Sequence, residues 1–230
     1  MTARIRASSL VTSPTSGCEV LSEPQPDCPL CPRLAGFRAA NRTREPAWHN
    51  APVATFGDPG ARLLVVGLAP GLRGANRTGR PFTGDFAGDL LYATLLECGL
   101  AQGTYAASVS DGLKLIGTSI TNAVRCVPPE NKPTPLEAAT CRRFLTATIA
   151  QMSELRAIVA LGRLAHDNVL SALGARRSAF VFGHGRSHSV RDGLVLYDSY
   201  HCSRYNTNTG VLTPAMFRDV FTAVRRDLDV

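Results

Sequence analysis

The chain has 230 residues, 44% of them hydrophobic and 19% charged, with a net charge of +7. This length supports one large α/β domain or two small ones with a sizeable core. No apolar run reaches the roughly 20 residues of a membrane-spanning helix. The N-terminus has no long apolar stretch of a secretory signal, so a cytoplasmic location is expected, nucleoid-associated if DNA is the partner. Seven cysteines in a chain this long do not form a disulfide scaffold, and in a reducing compartment a CxxC is a metal or redox element. The basic residues are 23 Arg against 2 Lys. Guanidinium forks suit phosphate oxygens, although a biased genome produces the same composition.

Residues 1–26 are polar, Ser/Thr/Pro-rich and without periodicity, and read as a disordered tail; 27–230 then form a single domain. Residues 27–60 carry Cys28 and Cys31, a short amphipathic stretch around Leu34–Arg42 and an irregular loop. ARLLVVGLAP (61–70) is a continuous apolar run ending in Gly and Pro, as in a buried strand. FAGDLLYATLLECGL (86–100) has helical spacing and ends on a Gly C-cap. GTSITNAVRC (117–126) reads as a second buried strand, and TPLEAATCRRFLTATIAQM (134–152) as a helix opened by a Thr-x-x-Glu cap. RAIVALG (156–162) is a third strand, RLAHDNVLSAL (163–173) a helix, GLVLYDSY (193–200) a fourth strand and TPAMFRDVFTAVRRDL (213–228) the last helix.

Alternating strands and helices predict an α/β fold with a mainly parallel sheet covered on both faces. Ligand sites in such folds lie beyond the carboxyl ends of the strands. Three unusual segments fall there: GLAPGLRGANRTGRPFTGD (67–85), TNAVRCVPPENKP (121–133) and SYHCSRYNTNTG (199–210). The first has neither GxxxxGK[ST] nor GxGxxG, so it is no standard phosphate loop. Its glycines permit close backbone approach, and Arg73, Arg77 and Arg80 interleave with them. Phe82 is either a core anchor or a stacking platform for a planar ring. Asp85 sits where an N-cap for the 86–99 helix belongs.

Cys126 and Cys141 are separated by fourteen residues and, with Cys28 and Cys31, can hold one metal centre that pins the N-terminal segment to the body. A zinc ribbon would show a second close pair. Iron–sulfur clusters tolerate scattered spacing and use four thiolates. Cys98 reads as core, Cys18 as tail, and neither as a ligand. His184 and His188 read as loop residues because Gly183 and Gly185 argue against a helix, and His166 reads as a surface or core-edge residue.

The segments 67–85, TNAVRCVPPENKPT, CPLCPRL, VALGRLA and SYHCSRYNTNTGVLT resemble family 5 of the uracil-DNA glycosylase superfamily, from about Cys28 to the C-terminus. The resemblance implies a three-layer α/β/α sandwich, a structural [4Fe–4S] cluster on Cys28, Cys31, Cys126 and Cys141, and excision of uracil and other deaminated bases (hypoxanthine, xanthine) from DNA by a monomer. Most superfamily members carry a water-activating polar side chain near Leu68; here that position is apolar, as in family 5. The resemblance implies catalytic Asp85 and His201. Around the base it implies Gly67, Ala69, Gly71, Phe82 and Asn122. His201 is followed by Cys202-Ser203 where the family usually has Pro-Ser.

Cleaving an N-glycosidic bond builds positive charge on the sugar and negative charge on the departing base. A carboxylate at Asp85 suits the sugar cation or a water, and His201 suits the leaving base. Arg73, Arg77, Ser203, Arg204 and Tyr205 are the expected DNA contacts. Arg204 and Tyr205 are either wedges into the stack or plain phosphate and solvent contacts. The competing classes are an iron–sulfur redox or electron-transfer protein and a non-catalytic, metal-stabilised DNA-binding module.

Overall fold

The structure is a computed structural model that describes residues 23–228. Most of the tail expected over 1–26, and Cys18 with it, lies outside the described residues. The elements in chain order are α1 (Pro32–Arg44), β1 (Phe56–Gly57), β2 (Leu63–Gly67), α2 (Ala75–Thr78), α3 (Phe86–Glu97), β3 (Ala101–Gln102), β4 (Lys114–Leu115), β5 (Thr118–Asn122), α4 (Pro135–Gln151), β6 (Ala157–Leu161), α5 (Arg163–Ala172), β7 (Ser187–Arg191), β8 (Leu194–Ser199), α6 (Arg204–Asn208) and α7 (Pro214–Leu228).

Six strands form one sheet in the order β1-β5-β2-β6-β8-β7. The four inner strands are parallel, and β1 and β7 close the edges antiparallel. The inner strands are the four that the sequence predicts. Residues alternate across the sheet as a period of two requires. Leu63 and Val65 face Leu91 and Leu95 of α3 and Phe217 and Phe221 of α7. Leu64 and Val66 face Leu145 of α4 and Val169 of α5. The result is the expected three-layer α/β/α sandwich.

Local sequence explains the helix starts. Thr134 Oγ1 accepts from the Glu137 amide at 3.2 Å, and the Glu137 carboxylate accepts from the Thr134 amide at 2.8 Å, a complete capping box in front of Pro135. α7 buries Phe217, Val220, Phe221, Val224 and Leu228 at helical spacing. The short β1 and the β3–β4 hairpin carry too little apolar pattern to be read from sequence.

Two expectations about histidines are corrected. His188 lies on β7, not in a loop, and His166 is 1% exposed rather than at the surface. The signal available in the sequence was Asp198 in an otherwise apolar strand, which requires buried partners.

Candidate active site

The carboxyl ends of the inner strands open into one cavity of about 480 Å³. The register sets its floor, because Gly67 ends β2 opposite Asn122 at the end of β5. The lining includes Ala69, Gly71, Phe82, Asp85, Asn122, His201, Ser203 and Arg204. Residues from all three unusual sequence segments therefore meet in one place.

Gly67 is the exception among the expected base-binding residues. It is buried behind the cavity, where a Cβ would collide with the Phe82 ring and the Asn122 carboxamide. Its function is to let those two side chains come together. Phe82 is 7% exposed, packs into the main core and still presents itself to the cavity. Phe82 is thus a core anchor that also lines the cavity. Its φ of +53° is a conformation that side-chain-bearing residues rarely adopt. Asn122 is 3% exposed, and its Oδ1 has no hydrogen-bond partner. An unsatisfied buried carboxamide costs free energy, and the cavity side is where a ligand can satisfy it.

Asp85 is both a cap and a cavity residue. Its Oδ1 accepts from the Gly88 amide at 3.2 Å and starts α3. Its Oδ2 reaches over the glycine turn: a Cβ at Gly71 would sit 2.8 Å from that oxygen, and one at Gly74 would clash with the same carboxylate. One oxygen holds the helix, and the other has no hydrogen-bond partner among the described residues. His201 has its basicity lowered by burial, and the nearby Asp85 charge offsets this in part. The imidazole is therefore uncharged at neutral pH. The Asn206 carboxamide donates to the His201 carbonyl at 2.8 Å and holds this turn. Cys202, next in the chain, is fully buried with its thiol 3.4 Å from the Ala87 carbonyl.

The expected DNA-contacting residues divide. Ser203 caps α6 by accepting from the Asn206 amide at 3.3 Å. Arg204 is exposed at the rim, stacked over Phe86 at 5.4 Å. Tyr205 is 74% exposed, an aromatic side chain projecting into solvent beside the cavity. Arg73 and Arg77 are exposed but do not line the cavity. Arg80 is internal: its guanidinium grips both Asp111 carboxylate oxygens at 2.9 and 2.7 Å and lies over Phe56, Tyr92 and Tyr105. It holds the 71–85 loop in place. Sequence reasoning missed Asn131, Phe86 and Ala87 as lining residues.

Two groups of side chains have metal-binding chemistry. Cys28, Cys31, Cys126 and Cys141 are free and share a recess walled by Leu34, Val124 and Phe144. Burial pushes the Cys126 thiol up to about 11 and the Cys141 thiol up to about 12. Thiolates there need cationic compensation, which a metal centre supplies. Arg38 Nη1 donates to Cys126 Sγ at 3.5 Å and the Arg125 amide donates to Cys141 Sγ at 3.3 Å, as suits anionic sulfur. The four thiols are a donor set that fits a thiolate-ligated metal centre. Arg125, fully buried, bridges this region to the core through Thr121, Thr148 (2.8 Å) and Thr55 (2.9 Å).

The second group is His166, His188 and Asp198, whose donor atoms lie within 4.8 Å of one another. These residues already satisfy each other. Asp198 meets His166 Nδ1 at 2.7 Å and His188 Nε2 at 3.1 Å, and His166 Nε2 lies 2.9 Å from the Phe180 carbonyl.

Residues 54–225 match the model of the uracil DNA glycosylase superfamily. Among curated proteins, the chain is 47% identical to a type-5 uracil-DNA glycosylase of Thermus thermophilus, over 86% of this chain and 93% of the relative. It is 40% identical to a type-5 uracil-DNA glycosylase of Pyrobaculum aerophilum, over 87% and 89%. A type-4 uracil-DNA glycosylase of Thermotoga maritima is 35% identical over 64% of this chain.

Proposed function

The chain belongs to the uracil-DNA glycosylase superfamily, in its type-5 branch, and from that premise we propose that it excises uracil from DNA by hydrolysing the N-glycosidic bond in the Phe82–Asp85–Asn122–His201 pocket. The observation that carries the pocket assignment is the buried Asn122 Oδ1 without a partner, beside an aromatic face. A planar base with a hydrogen-bonding edge satisfies both. An electron carrier or a passive DNA-binding module has no use for such a cavity.

The target nucleotide leaves the stack at a cost of a few kcal/mol. The base stacks on Phe82, and Asn122 reads its edge. As the bond lengthens, the sugar gains positive charge, and the free Oδ2 of Asp85 stabilises that cation or orients the attacking water. The base departs as an anion, and the neutral His201 donates a hydrogen bond to it. A donor of this kind is worth about 3–4 kcal/mol in the transition state. Leu68 supplies no water-activating group, which leaves Asp85 as the cavity's carboxylate. Arg204 and Tyr205 sit at the rim to fill the gap in the duplex.

The reading extends to hypoxanthine and xanthine, because one carboxamide and one aromatic face impose little discrimination among deaminated bases. It also places a [4Fe–4S] cluster on Cys28, Cys31, Cys126 and Cys141. Such a cluster supplies cross-linking of the N-terminal segment to the body, and no catalytic step passes through it. The test is strand cleavage after alkali on duplexes containing uracil, hypoxanthine or xanthine. Excision of all three is expected. No excision of uracil would overturn the reading, and excision of uracil alone would overturn the broad range.

A further inference from the structure

The loop between Cys126 and Cys141 does more than space two cysteines. Asn131 lines the same cavity as Asp85, Phe82, Asn122 and His201. It follows Glu130 in a tight turn in which both residues are left-handed, with φ of +55° and +57°. Asn adopts that region readily, whereas Glu130 is held there at a cost. The turn is closed by the Asn131 amide donating to the Pro128 carbonyl at 3.2 Å and the Lys132 amide donating to the Pro129 carbonyl at 3.0 Å. Arg33, two residues past Cys31, clamps the far side: it donates to the Lys132 carbonyl at 3.1 Å and pairs with Glu137 at 2.7 Å. The backbone is therefore held from both ends while the carboxamide is left free. Among the described residues the Asn131 side chain is exposed and has no hydrogen-bond partner.

The cavity thus has two carboxamides at different levels. Asn122 is buried at the end of β5 and meets whatever enters deepest. Asn131 is at the mouth, where Arg204 is also exposed. An extruded nucleotide enters base first, so its sugar–phosphate chain is what remains at the mouth. We propose that Asn131 is a further DNA-binding residue of this site, its amide donating a hydrogen bond to a phosphate oxygen flanking the extruded nucleotide. Side-chain amides are among the ordinary donors to phosphate. This inference rests on the base-excision reading above.

The experiment is a thermodynamic cycle on the full-length, iron-loaded protein. The DNA probe is a duplex with 2′-fluoro-2′-deoxyuridine, which resists excision. It is prepared with ordinary phosphates and with a neutral methylphosphonate at the 5′ or the 3′ side of that nucleotide. Asn131→Ala should weaken binding to the ordinary duplex by roughly 10- to 100-fold, the range of a hydrogen bond to a charged group. Asn131→Asp should weaken it further, because a carboxylate faces a phosphate. On one of the two methylphosphonate duplexes both variants should bind within about twofold of the wild type, since the partner is already removed. Losses that simply add on both duplexes would overturn the contact. So would an Asn131→Ala protein that binds the ordinary duplex like the wild type. Iron content should match the wild type in both variants; loss of iron would assign the residue to the cysteine centre instead. If the wild type itself fails to prefer this duplex over a matched one, the base-excision reading fails. If the wild type prefers it and the losses add, only the Asn131 contact fails.

Discussion

Phe82 and His201 meet in the cavity with ring centroids 6.1 Å apart and planes inclined at 32°. Two rings that sandwich a third need about 7 Å between them and near-parallel planes. The observed pair suits a base stacked on Phe82 with His201 at its edge, where an imidazole donates a hydrogen bond rather than stacks.

His201→Ala should therefore slow single-turnover excision by about 10²–10³-fold, the cost of losing one preorganised donor. The loss should be larger for a base that leaves poorly than for one that leaves well. Burial lowers the His201 pKa from 6.5, with Asp85 acting in the opposite sense, so the ring is uncharged at neutral pH and above. The wild-type rate should show no His201-dependent ionisation there. A rate step above pH 7 that disappears in the alanine variant would require a charged histidine instead.

Asp85 divides its two oxygens between the Gly88 amide and the cavity. Asparagine is as good an N-cap as aspartate. Asp85→Asn should thus keep thermal stability and affinity for uracil-containing DNA while the single-turnover rate falls steeply. Asp85→Ala should lose the rate and also about 1 kcal/mol of stability. Near wild-type excision by Asp85→Asn on every lesion would reduce Asp85 to a helix cap.

The layers and the pocket were legible because the inner strands are short segments, buried along their whole length in β2, β5 and β6, each ending where the composition turns to Gly, Asn or His. Asp85, Phe82, Asn122 and His201 carry that reading. The turn of Glu130 and Asn131 was not legible, because its orientation comes from Arg33, about a hundred residues away in sequence. The same holds for Arg80, whose burial depends on Asp111. Long-range polar pairing leaves no periodic trace.

The four cysteines make a prediction with two readouts. Cys141→Ser should lower iron content and solubility together, because Cys141 is buried beside Cys126 and Phe144 and the N-terminal segment is anchored through the same recess. A metal centre that holds two distant segments stabilises the fold as it binds. Full iron occupancy in Cys141→Ser would remove this residue from the ligand set.

Arg73, Arg77 and Arg204 are exposed around the cavity's loops. If they neutralise phosphates, the logarithm of affinity for undamaged duplex falls with the logarithm of salt by about 0.9 per phosphate. Changing all three to Ala should flatten that slope by up to about 2.7. An unchanged slope would put the duplex on another face.

Asp198 is fully buried near the carboxyl end of β8 and meets His166 of α5 and His188 of β7 at hydrogen-bond distance. Burial alone would lower the pKa of His166, but the Asp198 hydrogen bond and charge and the Phe180 carbonyl outweigh it, and the net direction is up. A raised pKa means that the folded state holds the proton more tightly than the unfolded chain. The stability from this pair is fully present below about pH 6.5 and is lost as pH rises through the raised folded-state value. Breaking a buried pair of this kind costs about 3 kcal/mol. Asp198→Asn should therefore lower the melting temperature most at acidic pH, and the gap to wild type should narrow as pH rises. A gap of constant size across that range would mean that the pair stabilises as neutral hydrogen bonds and that His166 carries no charge in the fold.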